Sequence, residues 1–170
     1  MKPERLLQLG VVALLTLFVF LIYSSVREVV VQAGDTAPAF SLTSDDGKKF
    51  TTTDFGGKIL LLNFWANWCP PCVEETPSLV QLSKQLGSKG LVVLGVSIDG
   101  NEAAYKRFVQ RFSIPFSVYR DGEQKINYSY GTLQIPESYL IDRNGRVVRK
   151  IIGPADFTAP DLVEYVQSLL

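Results

Sequence analysis

A long apolar run near the start of the chain stands apart from the shorter apolar runs that follow it. Residues 6–23 carry no charged side chain. As a helix this run would span about 27 Å, close to the thickness of a bilayer's hydrocarbon core. Lys2 and Arg5 precede it, and a basic flank favours the cytoplasmic side. The pattern predicts a cytoplasmic N-terminus at residues 1–5, a transmembrane signal-anchor at 6–23 and a linker at 24–35.

A cleaved signal peptide is the alternative for this segment. Signal peptides have a shorter apolar core of about 7–15 residues, which favours the anchor. However, residues 31–33 (Val-Gln-Ala) are similar to a small-residue cleavage site. In both cases residues 36–170 are exported, so the predicted location is the extracytoplasmic, periplasmic side of the inner (cytoplasmic) membrane.

Beyond the linker, apolar runs alternate with amphipathic stretches. The continuous apolar runs at 59–66 and 91–98 are typical of strands buried on both faces. Apolar positions at helical spacing predict a helix over 102–112. Shorter patterns predict further strands and helices at residues 34–42, 49–53, 71–86, 116–119, 138–141, 147–151 and 161–170. This order indicates one α/β sandwich domain with a mixed sheet and extra strands in front.

Composition limits the chemistry that this domain can perform. The chain has 17 basic and 17 acidic residues, two cysteines and no histidine. The balanced charge gives no excess of basic residues of the kind that binds nucleic acid. The lack of histidine excludes Ser-His-Asp hydrolysis, Cys-His proteolysis and His-rich metal sites. We expect no cofactor, no metal, no nucleic-acid partner and a monomeric protein.

The two cysteines, Cys69 and Cys72, lie where a predicted buried strand ends and a helix begins. The first helical turn has unpaired N–H groups and a partial positive charge, which favour a thiolate, the nucleophile of disulfide exchange. We predict a redox-active Cys69–Cys72 disulfide in which an exposed Cys69 attacks and a deeper Cys72 resolves the mixed disulfide. Pro70 and Pro71 suit a first turn, where their missing N–H groups cost nothing, and they stiffen the loop.

Two structural alternatives exist for the cysteine pair. A disulfide across two intervening residues would remove little unfolded-state entropy, so it would be a poor staple. A zinc site usually needs four Cys and His ligands, and this chain contains only two such residues. Both alternatives are weaker than the redox interpretation.

The residues around the cysteines resemble the active site of the thioredoxin superfamily. The resemblance lies in residues 64–72 (Phe-Trp-Ala-Asn-Trp-Cys-Pro-Pro-Cys), in Pro77 as the helix-kinking proline, and in Pro136 after Ile135 as the cis-proline. It implies a thioredoxin-like three-layer sandwich with a mixed central sheet and an N-terminal β extension. It also implies that the Pro136 loop packs on the cysteines and docks the substrate. A strand-starting proline is the alternative for Pro136.

A finer resemblance is to the ResA/TlpA/CcmG branch of membrane-anchored reductases. It is carried by residues 34–40 (Gly-Asp-Thr-Ala-Pro-Ala-Phe), the insertion-like stretch 113–130 and residues 136–142 (Pro-Glu-Ser-Tyr-Leu-Ile-Asp). It implies reduction of partner disulfides, such as those of apocytochrome c during cytochrome c maturation. Electrons would come from a membrane thiol transporter of the DsbD or CcdA type.

The proton shuttle of thioredoxins is missing from this sequence. Asn63 stands where thioredoxins have a buried Asp, and Gly95 where they have the partnering Lys. ResA-like proteins carry an acidic side chain just after the second buried strand, which makes Asp99 and Glu102 the nearest acid–base candidates. Asp99 as a turn residue and Glu102 as a first-turn helix residue are the structural alternatives.

Five further side chains flank the predicted site. Trp68 is expected to form part of the substrate-facing surface, with Ile135 beside it, whereas Trp65 suits core packing. Glu74 and Glu75 fall in the first turn of the active-site helix, where we expect them to offset the helix dipole rather than to transfer protons.

Three other activities are alternatives to a disulfide reductase. A DsbA-type oxidase or isomerase carries a large helical insertion after the active-site helix, for which Leu86 to Leu91 leaves no room. A peroxiredoxin-like peroxidase shares the Gly-Asp-x-Ala-Pro opening but needs Pro and Thr or Ser before its cysteine, which residues 64–68 lack. A Sco-like copper-binding assembly module needs wider cysteine spacing and a histidine.

Overall fold

The computed structural model describes residues 3–25, 30–52 and 57–170. Helix α1 spans Pro3–Ser25, and its apolar side chains between Val11 and Ile22 are exposed. Within the described part of the chain, no helix reaches the length and apolar content of a membrane-spanning segment. The transmembrane helix predicted at residues 6–23 is therefore not confirmed.

The N-terminal extension docks on the domain earlier than predicted. Val31 is buried and its N–H donates to the Tyr130 carbonyl, so part of the predicted linker belongs to the packed fold. The Gly34 N–H donates to the Val147 carbonyl at 2.7 Å. The predicted strand at 34–42 is reduced to its end, because the residues before it are held by these loop contacts. Strands β1 (Ser41–Thr43) and β2 (Lys49–Thr51) form an antiparallel hairpin.

A five-stranded sheet in the order β5-β4-β3-β6-β7 forms the centre of the domain. Strand β3 pairs in parallel with β4 and antiparallel with β6, so the sheet is mixed as predicted. All seven residues of β3 are buried, which is the pattern expected of a strand covered on both faces. The strands are β3 (Ile59–Trp65), β4 (Leu91–Ser97), β5 (Ser117–Arg120), β6 (Glu137–Ile141) and β7 (Val147–Ile152).

Helices complete the sandwich. Leu79, Leu82 and Leu86 line one face of the active-site helix and pack with Ile59 and Leu61. The opposite face of the sheet packs against the β1–β2 hairpin and helix α4. Each buried Leu contributes about 1.5–3 kcal/mol. The helices are α2 (Pro70–Leu86), α3 (Glu102–Arg111), α4 (Lys125–Tyr130) and α5 (Pro160–Leu169), with a short 3-10 turn at Gly87–Lys89 after α2.

Helix α4 was not predicted. It lies in the stretch 113–130 and has only six residues, too few for a clear helical period. Its start is held by the buried carboxylate of Asp121, which accepts the N–H groups of Lys125, Ile126 and Asn127. The carboxylate thus caps the start of the helix, while Ile126 and Tyr130 bury one face of this short helix in the core.

Candidate active site

The two cysteines are placed by the junction between β3 and α2. Cys69 has extended backbone geometry and is the N-cap of α2, with Pro70 and Pro71 at the first helical positions. The Cys72 N–H donates to Cys69 Sγ at 3.2 Å, so the sulfur satisfies one of the N–H groups that a helix start leaves unpaired. Cys69 and Cys72 are joined by a disulfide, with their Cα atoms 5.3 Å apart. The predicted pairing is therefore present.

The exposure predicted for Cys69 is wrong for this oxidised form. Only 3 % of Cys69 is exposed, and Cys72 is completely buried. Cys69 Sγ lies 3.6 Å from the carbonyl oxygen of Ile135, and the disulfide packs in a cluster with Trp65. The order of depth holds, because Cys69 is the nearer of the two to the surface.

The loop before β6 lies against the disulfide. The Ile135–Pro136 peptide is cis, as the thioredoxin resemblance implies. The Pro136 carbonyl accepts the Gly153 N–H at 2.9 Å, which ties the loop to the end of β7. Pro136 and Ile135 are thereby placed next to Cys69, and the docking role of Pro136 stays a prediction.

Three large apolar side chains near the cysteines in the chain or in the sheet are exposed to solvent. We call Trp68, Leu133 and Ile152 the apolar rim. These three side chains are 63 %, 73 % and 55 % exposed. Trp68 precedes Cys69, Leu133 lies two residues before Ile135, and Ile152 pairs with the residue after Pro136. Exposed large apolar side chains on the segments that adjoin a reactive pair are candidates for a binding surface.

Trp65 packs in the core, as expected. Its ring stacks on Phe108 and Tyr105 at centroid distances of 4.4 and 5.7 Å. A Cβ at Gly95 would lie 3.0 Å from Trp65 Nε1 and 3.3 Å from Val118 Cγ1. The packing of Trp65 therefore explains why no lysine occupies position 95.

The residue that the sequence analysis undervalued is Glu75. Glu75 is buried, and its Oε1 accepts the Asn63 Nδ2–H at 2.8 Å while its Oε2 accepts the Ala155 N–H at 3.2 Å. Asn63 Nδ2 also donates to Ser138 Oγ at 2.9 Å. Burial raises the pKa of Glu75 to about 7, an effect that the two hydrogen bonds reduce but do not cancel.

Glu75 lies on the same helix as the resolving cysteine, on the same buried face. Residues three apart lie on the same face of a helix, and Glu75 follows Cys72 by three. The sequence contains a signal for this burial, because residues 72, 75, 79, 82 and 86 follow one another at helical spacing. All five are buried along α2. A carboxyl on the buried stripe, rather than on the exposed face where Glu74 lies, is the mark of a group with an altered pKa.

The two predicted acid–base candidates lie in other surroundings. Asp99 is fully buried and accepts hydrogen bonds from Asn67 and Ser97. Glu102 is exposed and pairs with Lys106 at 2.5 Å, and this hydrogen bond lowers the pKa of Glu102. The contacts of the described residues connect neither carboxyl with a cysteine, so their acid–base roles stay predictions.

Comparisons with known proteins agree with this geometry. The Redoxin family profile matches residues 32–166. Thiol-disulfide oxidoreductase ResA of Bacillus thuringiensis subsp. konkukian (strain 97-27) is 35% identical over 143 residues, which cover 84% of this chain and 82% of that protein. The chain belongs to the ResA thiol-disulfide oxidoreductases of the Redoxin family. ResA of Geobacillus thermodenitrificans (strain NG80-2) is 31% identical over 172 residues, covering 99% of this chain and 98% of that protein.

Solved structures show the same fold. A thiol:disulfide interchange protein of the thioredoxin family from Chlorobium tepidum TLS superposes with a TM-score of 0.68 at 30% identity, covering 81% of this chain and 98% of that one. A thiol-disulfide oxidoreductase from Bacteroides fragilis NCTC 9343 gives 0.67 at 26% identity, covering 80% and 100%. This ResA-type chain is therefore a thioredoxin-like enzyme of thiol–disulfide exchange, acting on disulfide-bearing proteins through its C-x-x-C pair.

Proposed function

We propose that this ResA-type enzyme is an extracytoplasmic reductase of protein disulfides, with apocytochrome c in cytochrome c maturation as its substrate. The observation that carries the proposal is the disulfide at the start of α2, with the Ile135 carbonyl of the cis-proline loop 3.6 Å from Cys69 Sγ and the buried carboxyl of Glu75 three residues after Cys72 on the same helix. This arrangement supports a docking role for the loop and a proton-acceptor role for Glu75.

The reaction begins from the dithiol form. The Cys69 thiolate attacks one sulfur of the substrate disulfide, and the other substrate sulfur leaves as a thiolate that takes a proton. The Cys72 N–H that points at Cys69 Sγ favours the negative charge on that sulfur. The product of this step is a mixed disulfide between Cys69 and the substrate.

The second step needs a proton acceptor near Cys72. The carboxylate of Glu75 takes the proton from the Cys72 thiol, and the resulting thiolate attacks Cys69 Sγ. This attack forms the Cys69–Cys72 disulfide and releases the second substrate thiol. Two electrons pass from the enzyme dithiol to the substrate. A pKa of about 7 leaves both forms of Glu75 populated at neutral pH.

The apolar rim supports a polypeptide substrate. Trp68, Leu133 and Ile152 offer exposed apolar area around a disulfide that is itself almost covered. The three-residue turn at Gly87–Lys89 joins α2 to β4 directly, which favours a reductase over oxidases of the DsbA type with their helical insertion. The substrate is expected to present apolar residues beside its cysteines.

The location and the electron donor belong to the same proposal. An uncharged run at 6–23, with exposed apolar side chains along α1, supports a single membrane anchor that holds the domain on the extracytoplasmic side. A membrane thiol transporter of the DsbD or CcdA type would then return electrons to the Cys69–Cys72 disulfide. Membrane pellets washed with alkaline carbonate should retain the full chain, and protease added from outside should digest the domain.

Trapping the full-length enzyme tests the substrate. In a Cys72→Ser variant the mixed disulfide on Cys69 cannot be resolved, so the partner stays attached and can be identified by mass spectrometry. A Cys69→Ser variant is the matched control and should capture nothing. Recovery of apocytochrome c from the first variant alone supports the pathway, whereas captured partners without it would assign the enzyme to another exported substrate.

A further inference from the structure

Asp99 is a fully buried carboxylate whose partners are all uncharged. Its Oδ2 accepts the Asn67 N–H at 3.0 Å and the Ser97 hydroxyl at 2.8 Å. The Asn67 side-chain amide donates to Oδ1. Arg120 contacts the Asp99 backbone carbonyl, at 3.3 Å, rather than the carboxylate. Among the described residues, no lysine or arginine forms an ion pair with this carboxylate.

These contacts converge on one residue of the active-site loop. Asn67 lies between the end of β3 and Cys69, and it gives both its backbone N–H and its side-chain amide to Asp99. The Ile98 N–H donates to the Trp65 carbonyl at 2.9 Å, so the end of β4 also holds the residue where the loop begins. Cys69 is the N-cap of α2, and its N–H donates to the Ala66 carbonyl at 3.3 Å, which closes the loop on the other side of Trp68. The part of the loop that depends on Asp99 is therefore Asn67 and the exposed Trp68 that follows it.

We infer that Asp99 is a positioning residue that holds Asn67 and thereby presents Trp68 to the substrate. Its carboxylate oxygens are occupied by donors from Asn67 and Ser97, so it acts through the loop rather than on a cysteine proton. A carboxylate held by several N–H and O–H donors makes stronger, shorter hydrogen bonds than a neutral acceptor. The inference rests on the proposed use of Trp68 in substrate docking.

The amide–carboxylate pair allows an exchange experiment in the full-length enzyme. In Asp99→Asn an amide faces the Asn67 amide, so the charged acceptor is lost. In Asn67→Asp a second buried carboxylate faces Asp99, so the amide donor is lost and two like charges meet. The double variant N67D/D99N restores one amide and one carboxylate in the reverse order. Asp161→Asn, an exposed Asp in the first turn of α5, is the matched control, and Trp68→Ala measures what the loss of the docking tryptophan costs.

The readout is the separation of KM from kcat. Each single variant should raise KM for a protein disulfide on the order of tenfold, the size expected when an aromatic side chain is lost from an interface. The rate of reduction of a small aromatic disulfide, which does not need the docking surface, should change by less than about twofold. The double variant should recover the part of the KM that depends on the side-chain pair, because coupled residues deviate from additivity, while the Asn67 N–H and the Ser97 hydroxyl still face position 99 as donors. Asp161→Asn should match the unmodified enzyme.

Two results would overturn the inference. One is a D99N enzyme with unchanged KM beside a W68A enzyme with raised KM. The other is a double variant whose KM effect is the sum of the two single effects. If D99N alone fails to fold, an N67D enzyme with unchanged KM overturns the inference instead. An unchanged KM in W68A would instead remove Trp68 from the proposed docking surface, while trapping on Cys69 would still test the reductase proposal separately.

Discussion

Two buried carboxyls lie on opposite faces of the central sheet, one on each side of the cis-proline strand. Glu75 sits on the α2 side and meets only neutral donors, Asn63 and the Ala155 N–H. Glu137, the residue after Pro136, faces the other side and pairs with Lys150, whose Nζ lies 3.2 Å from its Oε1. Both are glutamates in the core, and they differ in having a counter-ion.

The ion pair between Glu137 and Lys150 links separate elements of the fold. Lys150 Nζ also donates to the Val31 carbonyl at 3.1 Å and lies 5.2 Å from the centre of the Tyr139 ring. Glu137 Oε1 accepts the Thr132 hydroxyl at 3.1 Å and the Tyr139 hydroxyl. This network joins the start of the packed domain to the strand that follows Pro136.

The comparison shows how one residue type serves two purposes. A buried carboxyl with a lysine beside it is a structural ion pair, and removal of one partner leaves the other charge unpaired. Glu75 has no cation among its contacts with the described residues, and burial raises its pKa to about 7, so it can exchange a proton at neutral pH. We therefore assign the proton acceptor to Glu75, which forms no ion pair in the described part of the chain.

The largest expected effect comes from removing the counter-ion. Lys150→Met should lower the free energy of unfolding by about 3–5 kcal/mol, because the Glu137 carboxylate is left buried without a cation. Urea unfolding monitored by circular dichroism measures this change. Lys49→Met, an exposed lysine on β2, should change it by less than about 0.5 kcal/mol. Equal effects of the two substitutions would mean that the buried ion pair does not stabilise the fold.

The second effect is a pH dependence of stability on the Glu75 side. Burial raises the pKa from 4.5 to about 7, so the folded protein holds a proton that the unfolded chain has lost. The free energy of unfolding of the oxidised enzyme should therefore fall as pH rises from 4.5 through 7, by about 3 kcal/mol at about 1.4 kcal/mol per unit. Glu75→Gln should remove this part of the slope. A variant that keeps the full slope would show that another group causes it.

The third effect is on turnover. Glu75→Gln should slow reduction of protein disulfides about 100-fold, the lower range for loss of a general base, because Cys72 loses its proton acceptor. The rate of alkylation of Cys69 in the reduced enzyme should stay close to that of the unmodified protein. Quenched-flow sampling should show the mixed disulfide on Cys69 accumulating. Slower Cys69 alkylation with no accumulation would place Glu75 in the first step instead.

The features that could be predicted from the sequence are those with a strong local pattern. Strands β3 and β4 are continuous apolar runs, α2 has an apolar stripe, and the C-x-x-C spacing marks the redox pair. Helix α4 was not predicted, because its six residues are too few to show a period and its start is held by the Asp121 carboxylate.

The features that could not be predicted depend on tertiary contacts. The burial of Cys69 comes from the Ile135 loop, which approaches from a distant part of the chain. The raised pKa of Glu75 comes from its burial in the fold, which the hydrogen bond from Asn63 only partly offsets, and a helical pattern shows neither. The sequence places the Asp99 carboxyl near the site, but its pairing with Asn67 depends on the fold.

The reduction potential of the Cys69–Cys72 couple tests the central claim most directly. The full-length enzyme is equilibrated with defined ratios of reduced and oxidised dithiothreitol, and the free thiols are alkylated and counted. For a reductase of protein disulfides we expect a value close to that of thioredoxin, about −270 mV. A value close to that of DsbA, about −120 mV, would make the enzyme an oxidant and contradict the proposed direction of electron flow.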